Sequence, residues 1–192
     1  MWPKYVVKDD ILNEKHFNII KNISFDTKPD EWDIYKHKIF NDGKIEIGFQ
    51  SSSGKDGISP LSEEDIRDIH NTYHDYMWQT LKELAPEKLE HYWYTELNVV
   101  NNGKDYIFPI HSDSRDKLLS VVIYIAPEKN EGTWLYEDKT GKNPQQVEWK
   151  PNRAFIFSRT DHTWHSYKAD GINNRLALVY NLRSDKYWKN NV

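Results

Sequence analysis

The chain contains no cysteine in its 192 residues. Disulfides and thiolate metal sites are therefore excluded, and the composition fits a reducing compartment. Long apolar runs are also missing: no stretch approaches the about 20 residues that a bilayer span requires. Met1-Trp2-Pro3-Lys4 opens no signal peptide, so a cytoplasmic location without a membrane role is expected. Neither sign of charge dominates, with 26 Lys and Arg against 30 Asp and Glu for a formal net charge of -4. Such a balance creates no field that would gather nucleic acid, and no Lys/Arg stripe stands in for one. Glycine is sparse. Four of the eight glycines fall between Gly43 and Gly57, which marks the 41-60 segment as a loop, either a solvated connector or a substrate lid. There is no internal repeat, low-complexity tract or second domain, and the length suits one domain over 1-192.

What the chain does have is aromatic residues, 14% of the total with eight Trp and twelve Tyr, against a hydrophobic fraction of only 38%. An aromatic-rich core beneath a charged surface is expected. Residues 4-8 read as a strand and 13-21 as a helix. Residues 33-49 alternate charged and apolar side chains and suggest one or two exposed strands turning at Asn41-Asp42-Gly43. Ser62 to Leu84 is the clearest helix: Ser62 offers an N-cap, Glu63, Glu64 and Asp65 favour the positive end of the helix dipole, and Ile66, Ile69, Tyr73, Met77, Leu81 and Leu84 recur at helical spacing up to Pro86. Its apolar stripe should lie on the outer face of a sheet. His70 and His74, four residues apart beside that stripe, read as surface histidines rather than metal ligands. From Glu90 the texture changes to short strands, at 91-100, 118-126, 133-136, 145-149, 153-158 and 174-182, separated by turn residues. No helical pattern interrupts them, which points to a sandwich or jelly roll.

The chemistry concentrates in Pro109-Ile110-His111-Ser112-Asp113. His165 follows fifty-four positions later in Asp161-His162-Thr163-Trp164-His165, and Arg175 ten further on in a strand-like run. Two imidazoles and a carboxylate suit one face of a ferrous ion and leave three coordination positions open. Spacing of two within a strand or its edge turns His111 and Asp113 to the same side. Arg175 alternates with Leu176 and shares a face with Ala177 and Val179; a buried cation there needs a counter-charge, and no acidic residue lies on that face of the local strand. An anionic ligand or an acid from elsewhere in the fold would serve.

Over roughly 92-183 this order of His-x-Asp, second His and Arg resembles the iron(II)- and 2-oxoglutarate-dependent dioxygenases, in their prolyl-hydroxylase-like branch. The resemblance implies a mainly β fold with flanking helices, a cupin-like jelly roll or double-stranded β-helix, with residues 1-89 as support and 90-183 as catalytic core. It implies His111, Asp113 and His165 as ligands of Fe(II), His165 being preferred to His162 because its distance to Arg175 matches the family. Arg175 would bind the distal carboxylate of 2-oxoglutarate, and Tyr124 resembles the tyrosine that shares it. Other branches carry a serine two residues after the arginine; here Ala177 stands there, so the helper group must come from another strand. Related halogenases replace the carboxylate ligand by Gly or Ala, so Asp113 argues for hydroxylation. The implied activity couples decarboxylation of 2-oxoglutarate by O2, with ascorbate in a supporting role, to hydroxylation of an amino-acid or peptidyl substrate, prolyl being one form; another small molecule is the alternative. Arg115, Asp116, Trp93, Tyr94, Trp134 and Trp164 are candidates for shaping the substrate cavity, with packing as their plainer role. The competing readings are a non-catalytic jelly-roll binding module, which needs no iron, and repair of alkylated nucleic acid, which the charge balance disfavours.

Overall fold

A computed structural model describes residues 1-25 and 31-185; the expected single domain over 1-192 thus extends beyond the described residues at 26-30 and 186-192. The elements run β1 (Tyr5–Lys8), α1 (Glu14–Lys21), β2 (Trp32–Phe40), β3 (Ile45–Ser51), α2 (Glu63–Leu84), a 3-10 turn (Pro86–His91), β4 (Tyr94–Asn102), β5 (Ile107–His111), β6 (Lys117–Ala126), β7 (Thr133–Tyr136), β8 (Gln145–Val147), β9 (Ala154–Phe157), β10 (Trp164–Lys168) and β11 (Arg175–Arg183). Two antiparallel sheets result, a large one in the order β1-β9-β6-β11-β4-β2-β3 and a small one in the order β5-β10-β7-β8. This is the mainly β jelly-roll architecture expected. Strands β1, β2 and β3, from the region expected to act as support, are part of the large sheet itself.

Side-chain alternation decides which face of the large sheet does what. Leu97 and Val99 of β4, Leu119, Val121 and Ile123 of β6, and Leu176, Leu178, Tyr180 and Leu182 of β11 face one way and pack with Ile66, Ile69, Met77 and Leu81 of α2 and Ile20 of α1. Each such fully buried aliphatic side chain contributes roughly 1.5–3 kcal/mol. Helix α2 starts in a complete capping box between Ser62 and Asp65, which satisfies backbone N–H groups that the first turn leaves unpaired. The opposite face of the sheet carries Glu96, Asn98, Val100 and Asn102 on β4 and Arg175, Ala177, Val179, Asn181 and Arg183 on β11, and all of these line one cavity between the sheets. A second apolar cluster is formed by Tyr124, Leu135, Val147, Phe155 and Phe157, of which Phe155 and Phe157 reach the cavity.

Two expectations change. Strand β2 is half-buried rather than exposed: Asp33, Tyr35, His37 and Ile39 are buried in alternation, because β3 and β4 flank it and the helical layer covers one face. His70 and His74 are half-buried, not surface residues. Their Nδ1 atoms lie 3.0 and 3.5 Å from the hydroxyl of Tyr180, whose ring points at the helix and whose O–H needs a partner there. The segment after β3 turns at Ser51–Gly54 and reaches Ser59, whose hydroxyl lies 2.6 Å from Nε2 of the buried His37. That contact fixes it on the helical face of the sheet, away from the cavity.

Candidate metal and carboxylate site

Strands β5 and β10 pair so that His111 and His165 stand directly opposite each other, and their ring centroids are 4.3 Å apart. The two imidazoles therefore reach one point as a cross-strand pair, although neither strand has the apolar alternation that would mark it in the sequence. Asp113, two residues past the end of β5, turns in beside them. One ligand-type atom from each of His111, Asp113 and His165 lies within 4.8 Å of the other two. Among the described residues no other such trio of His, Asp and Glu forms, and His162 is exposed outside it.

The hydrogen bonds around the trio fit a metal. His111 Nδ1 lies 2.8 Å from the carbonyl of Pro109, and His165 Nδ1 lies 2.8 Å from the carbonyl of Thr163. A carbonyl only accepts, so in each ring Nδ1 carries the proton and Nε2 presents a lone pair. His111 Nε2 is buried with no hydrogen-bond partner. Burial, opposed by the charge of Asp113, holds the His165 imidazole neutral down to about 4. For Asp113 burial alone would raise the pKa, but Lys117 and His165, with hydrogen bonds from Lys117 Nζ at 2.8 Å and Ser120 Oγ at 2.5 Å, outweigh it and hold the carboxyl well below the usual range. Two lone pairs and one ionised carboxylate are the donor set that a divalent ferrous ion takes.

The main chain at Asp113 is tied separately. Nε of Arg159 donates to its carbonyl at 2.9 Å, Nη2 pairs with Asp161 at 2.6 Å, and the guanidinium is buried. Lys88 Nζ, buried on the 3-10 turn, donates to Ser158 at 2.8 Å and to the carbonyl of Arg159; burial pushes this ammonium down to about 8. Thus the segment that leads into His165 also clamps the loop that carries Asp113.

Arg175 opens β11 on the cavity face, with 7% of its surface exposed. Among the described residues no carboxylate pairs with it, and its Nε has no hydrogen-bond partner. Its guanidinium sits 3.9 Å from the ring centroid of Tyr167, 5.6 Å from that of Tyr124 and 5.9 Å from that of Trp149. Burial lowers its pKa, and nearby phenols only partly oppose that. An arginine stays charged regardless. The cavity, about 460 Å³, is thus lined by this uncompensated cation and, from the trio, by Asp113 and His165, with His111 beside them.

Tyr124 meets Arg175 with its ring rather than its hydroxyl. The hydroxyl accepts from the N–H of Thr133 at 3.0 Å and lies 2.9 Å from the Thr133 hydroxyl oxygen; Thr133, not Tyr124, lines the cavity. With the phenol donating to it, the Thr133 hydroxyl keeps its own proton free to donate at the cavity wall. Of the residues expected to shape the cavity, Trp93, Tyr94, Trp134, Trp164 and Arg115 do not line it, and Asp116 is occupied by Arg183. Trp32, Tyr106 and Phe108 line it instead. Lys117, Ser120, Thr133, Arg159 and Tyr167 were not singled out in the sequence. Lys117, four residues after Asp113, and Tyr167, two after His165 on the same strand, carried a positional signal; Thr133 and Arg159 act through tertiary contacts that no spacing reveals.

No protein-family model matches the chain, and no curated protein does. Solved structures do. A prolyl-4-hydroxylase from Pseudomonas putida superposes with a TM-score of 0.59 over 95% of this chain and 93% of its own, at 12% identity. A 2OG-Fe(II) oxygenase family oxidoreductase from Burkholderia pseudomallei gives 0.55 over 93% and 84%, at 14% identity, and IDO from Bacillus thuringiensis 0.55 over 95% and 91%, at 9% identity. The chain therefore has the fold of the 2-oxoglutarate-iron(II) oxygenases. Among the described residues no helix is long and apolar enough to cross a membrane.

Proposed function

We propose that the chain is an iron(II)- and 2-oxoglutarate-dependent dioxygenase that hydroxylates an amino-acid or peptidyl substrate, releasing succinate and carbon dioxide. The observation that carries the reading is a trio that presents Asp113 and His165 to the cavity, with the Nε2 of the adjoining His111 buried and unpartnered, together with a buried arginine on the same cavity that lacks an anion among the described residues. In this reading His111, Asp113 and His165 hold the metal, which when bound supplies the activation of dioxygen against the cosubstrate. Arg175 pairs with the distal carboxylate of 2-oxoglutarate through its planar fork of donors, and Thr133 gives that carboxylate a neutral hydrogen bond. Lys117 and Ser120 keep Asp113 ionised and fix its rotamer. The aromatic walls, Tyr106, Phe108 and Tyr167 among them, exclude water and strengthen each of these charged contacts. No side chain is required as a general base; the protein's contribution is orientation and shielding.

Ferrous iron and 2-oxoglutarate added to the protein without oxygen should develop a visible charge-transfer absorption, and His111→Ala should abolish it. Persistence of the band in that variant would remove the assignment. Binding of a glycan to metal-free protein, with no succinate formed under any condition, would favour a jelly-roll binding module instead.

A further inference from the structure

The cavity is also lined by a second cation without a carboxylate partner among the described residues, half-buried and remote from Arg175. Lys36 of β2 lines it beside Asn98 of β4, its partner in the strand register. The Lys36 ammonium donates to the neutral amide oxygen of Gln50 on β3; among the described residues no carboxylate pairs with it. Other charges lining that part of the cavity are matched: Glu96 accepts from Arg183 and Asn181, each at 2.8 Å, and Asp113 from Lys117 at 2.8 Å. Asn98 is 7% exposed, and its Oδ1 is buried without a hydrogen-bond partner. A buried amide oxygen left unmet is destabilising relative to a paired one. So the same corner offers a cation that lacks an anion and an acceptor that lacks a donor.

One cosubstrate cannot meet both ends of the cavity. Arg175 lies in register with Asn102, and Lys36 with Asn98, so the two cations are separated by four residues along the strands, roughly 13 Å, and by a further two strand spacings across the sheet. A five-carbon diacid bound at Arg175 and reaching toward the His-Asp-His trio does not extend there. The Lys36 corner is therefore left open for a different ligand.

We propose that Lys36 and Asn98 form the substrate subsite and that the substrate is a small molecule with a free carboxylate beside a hydrogen-bond donor, as in a free α-amino acid. The carboxylate takes the Lys36 ammonium, with Gln50 steadying the lysine, and the α-ammonium group donates to Asn98 Oδ1. A residue inside a peptide has no free α-carboxylate and leaves Lys36 unmatched. The volume agrees: a cavity of about 460 Å³, shared with the cosubstrate, is of the size that takes a small ligand. This assignment rests on the oxygenase reading of the same cavity.

The test uses protein loaded with ferrous iron and 2-oxoglutarate in the absence of oxygen. Formation of the charge-transfer band comes first; its failure counts against the oxygenase reading and takes this assignment with it. Given the band, the standard L-amino acids and their C-terminal amides are titrated in turn. At least one free amino acid should perturb the band saturably, its amide should bind tenfold or more weakly, and Lys36→Met should lose tenfold or more in affinity for the free acid while 2-oxoglutarate binds as before. Asn98→Leu should weaken the same amino acid. The assignment is overturned, with the oxygenase reading intact, if no free amino acid perturbs the band, if acid and amide bind alike, or if Lys36→Met binds the acid as wild type does.

Discussion

Arg175 spends its charge on rings. Its guanidinium is stacked 3.9 Å from Tyr167 and has no carboxylate among the described residues. A cation kept out of water without an ion pair is a stability cost unless a ligand arrives. Arg175→Met in metal-free protein should thus be neutral or stabilising, by up to about 2 kcal/mol in denaturant unfolding; a loss of several kcal/mol would make the arginine a packing element. Arg159 is the contrasting case, a buried arginine that has its acid, Asp161, and uses Nε to hold the carbonyl of Asp113. Arg159→Met should loosen that loop and lower affinity for Mn(II), read by calorimetry, by about 10–100-fold, as for groups that orient metal ligands. Unchanged Mn(II) affinity would show that the loop holds its shape alone.

At the level of elements, what the sequence revealed depended on burial. Helix α2 was readable because a core on one face imposes a period on side chains, and β6 because burial on both faces leaves a continuous apolar run. Strands β5 and β10 were not, since Ile-Phe-Pro-Ile-His and Trp-His-Ser-Tyr-Lys show no two-residue alternation; their pairing exists through the register that sets His165 against His111. Pro109 is tolerated because β5 is an edge strand. The reading of His70 and His74 failed for a related reason: a helical wheel shows which residues flank the stripe, but not that Tyr180 would lift its hydroxyl between them. Burial, with the neighbouring His74, lowers His70 from an ordinary value of 6.5 to about 4. Because the folded value lies below the unfolded one, the unfolded chain binds the proton more readily. Stability is full above about 6.5 and is lost as pH falls toward 4. His70 alone should cost the metal-free protein about 1–2 kcal/mol between pH 7 and pH 5, and His165, shifted in the same direction, adds to it. His70→Gln should flatten the fall in melting temperature over that interval; an unchanged pH profile would contradict the assignment.

Across the whole molecule, the order His111, Asp113, His165, Arg175 could be read from the chain because each residue type is constrained by chemistry that no neighbour can supply. The cavity wall could not. Its lining comes from β2, β4, β7 and β11 among other strands, and Trp93, Trp134 and Trp164, expected to shape it, lie elsewhere. Two sheets facing each other enclose a cavity lined by both Arg175 and Lys36, and the account turns on what the first of them binds. The most direct measurement is calorimetric titration of 2-oxoglutarate into iron-loaded protein, kept anaerobic, for wild type, Arg175→Ala and Arg175→Lys. The account predicts that iron still binds all three, that Arg175→Ala loses on the order of a hundredfold in 2-oxoglutarate affinity, about 3 kcal/mol for the stranded carboxylate, and that Arg175→Lys recovers only part, restoring charge without the planar fork. Wild-type affinity in Arg175→Ala would contradict it.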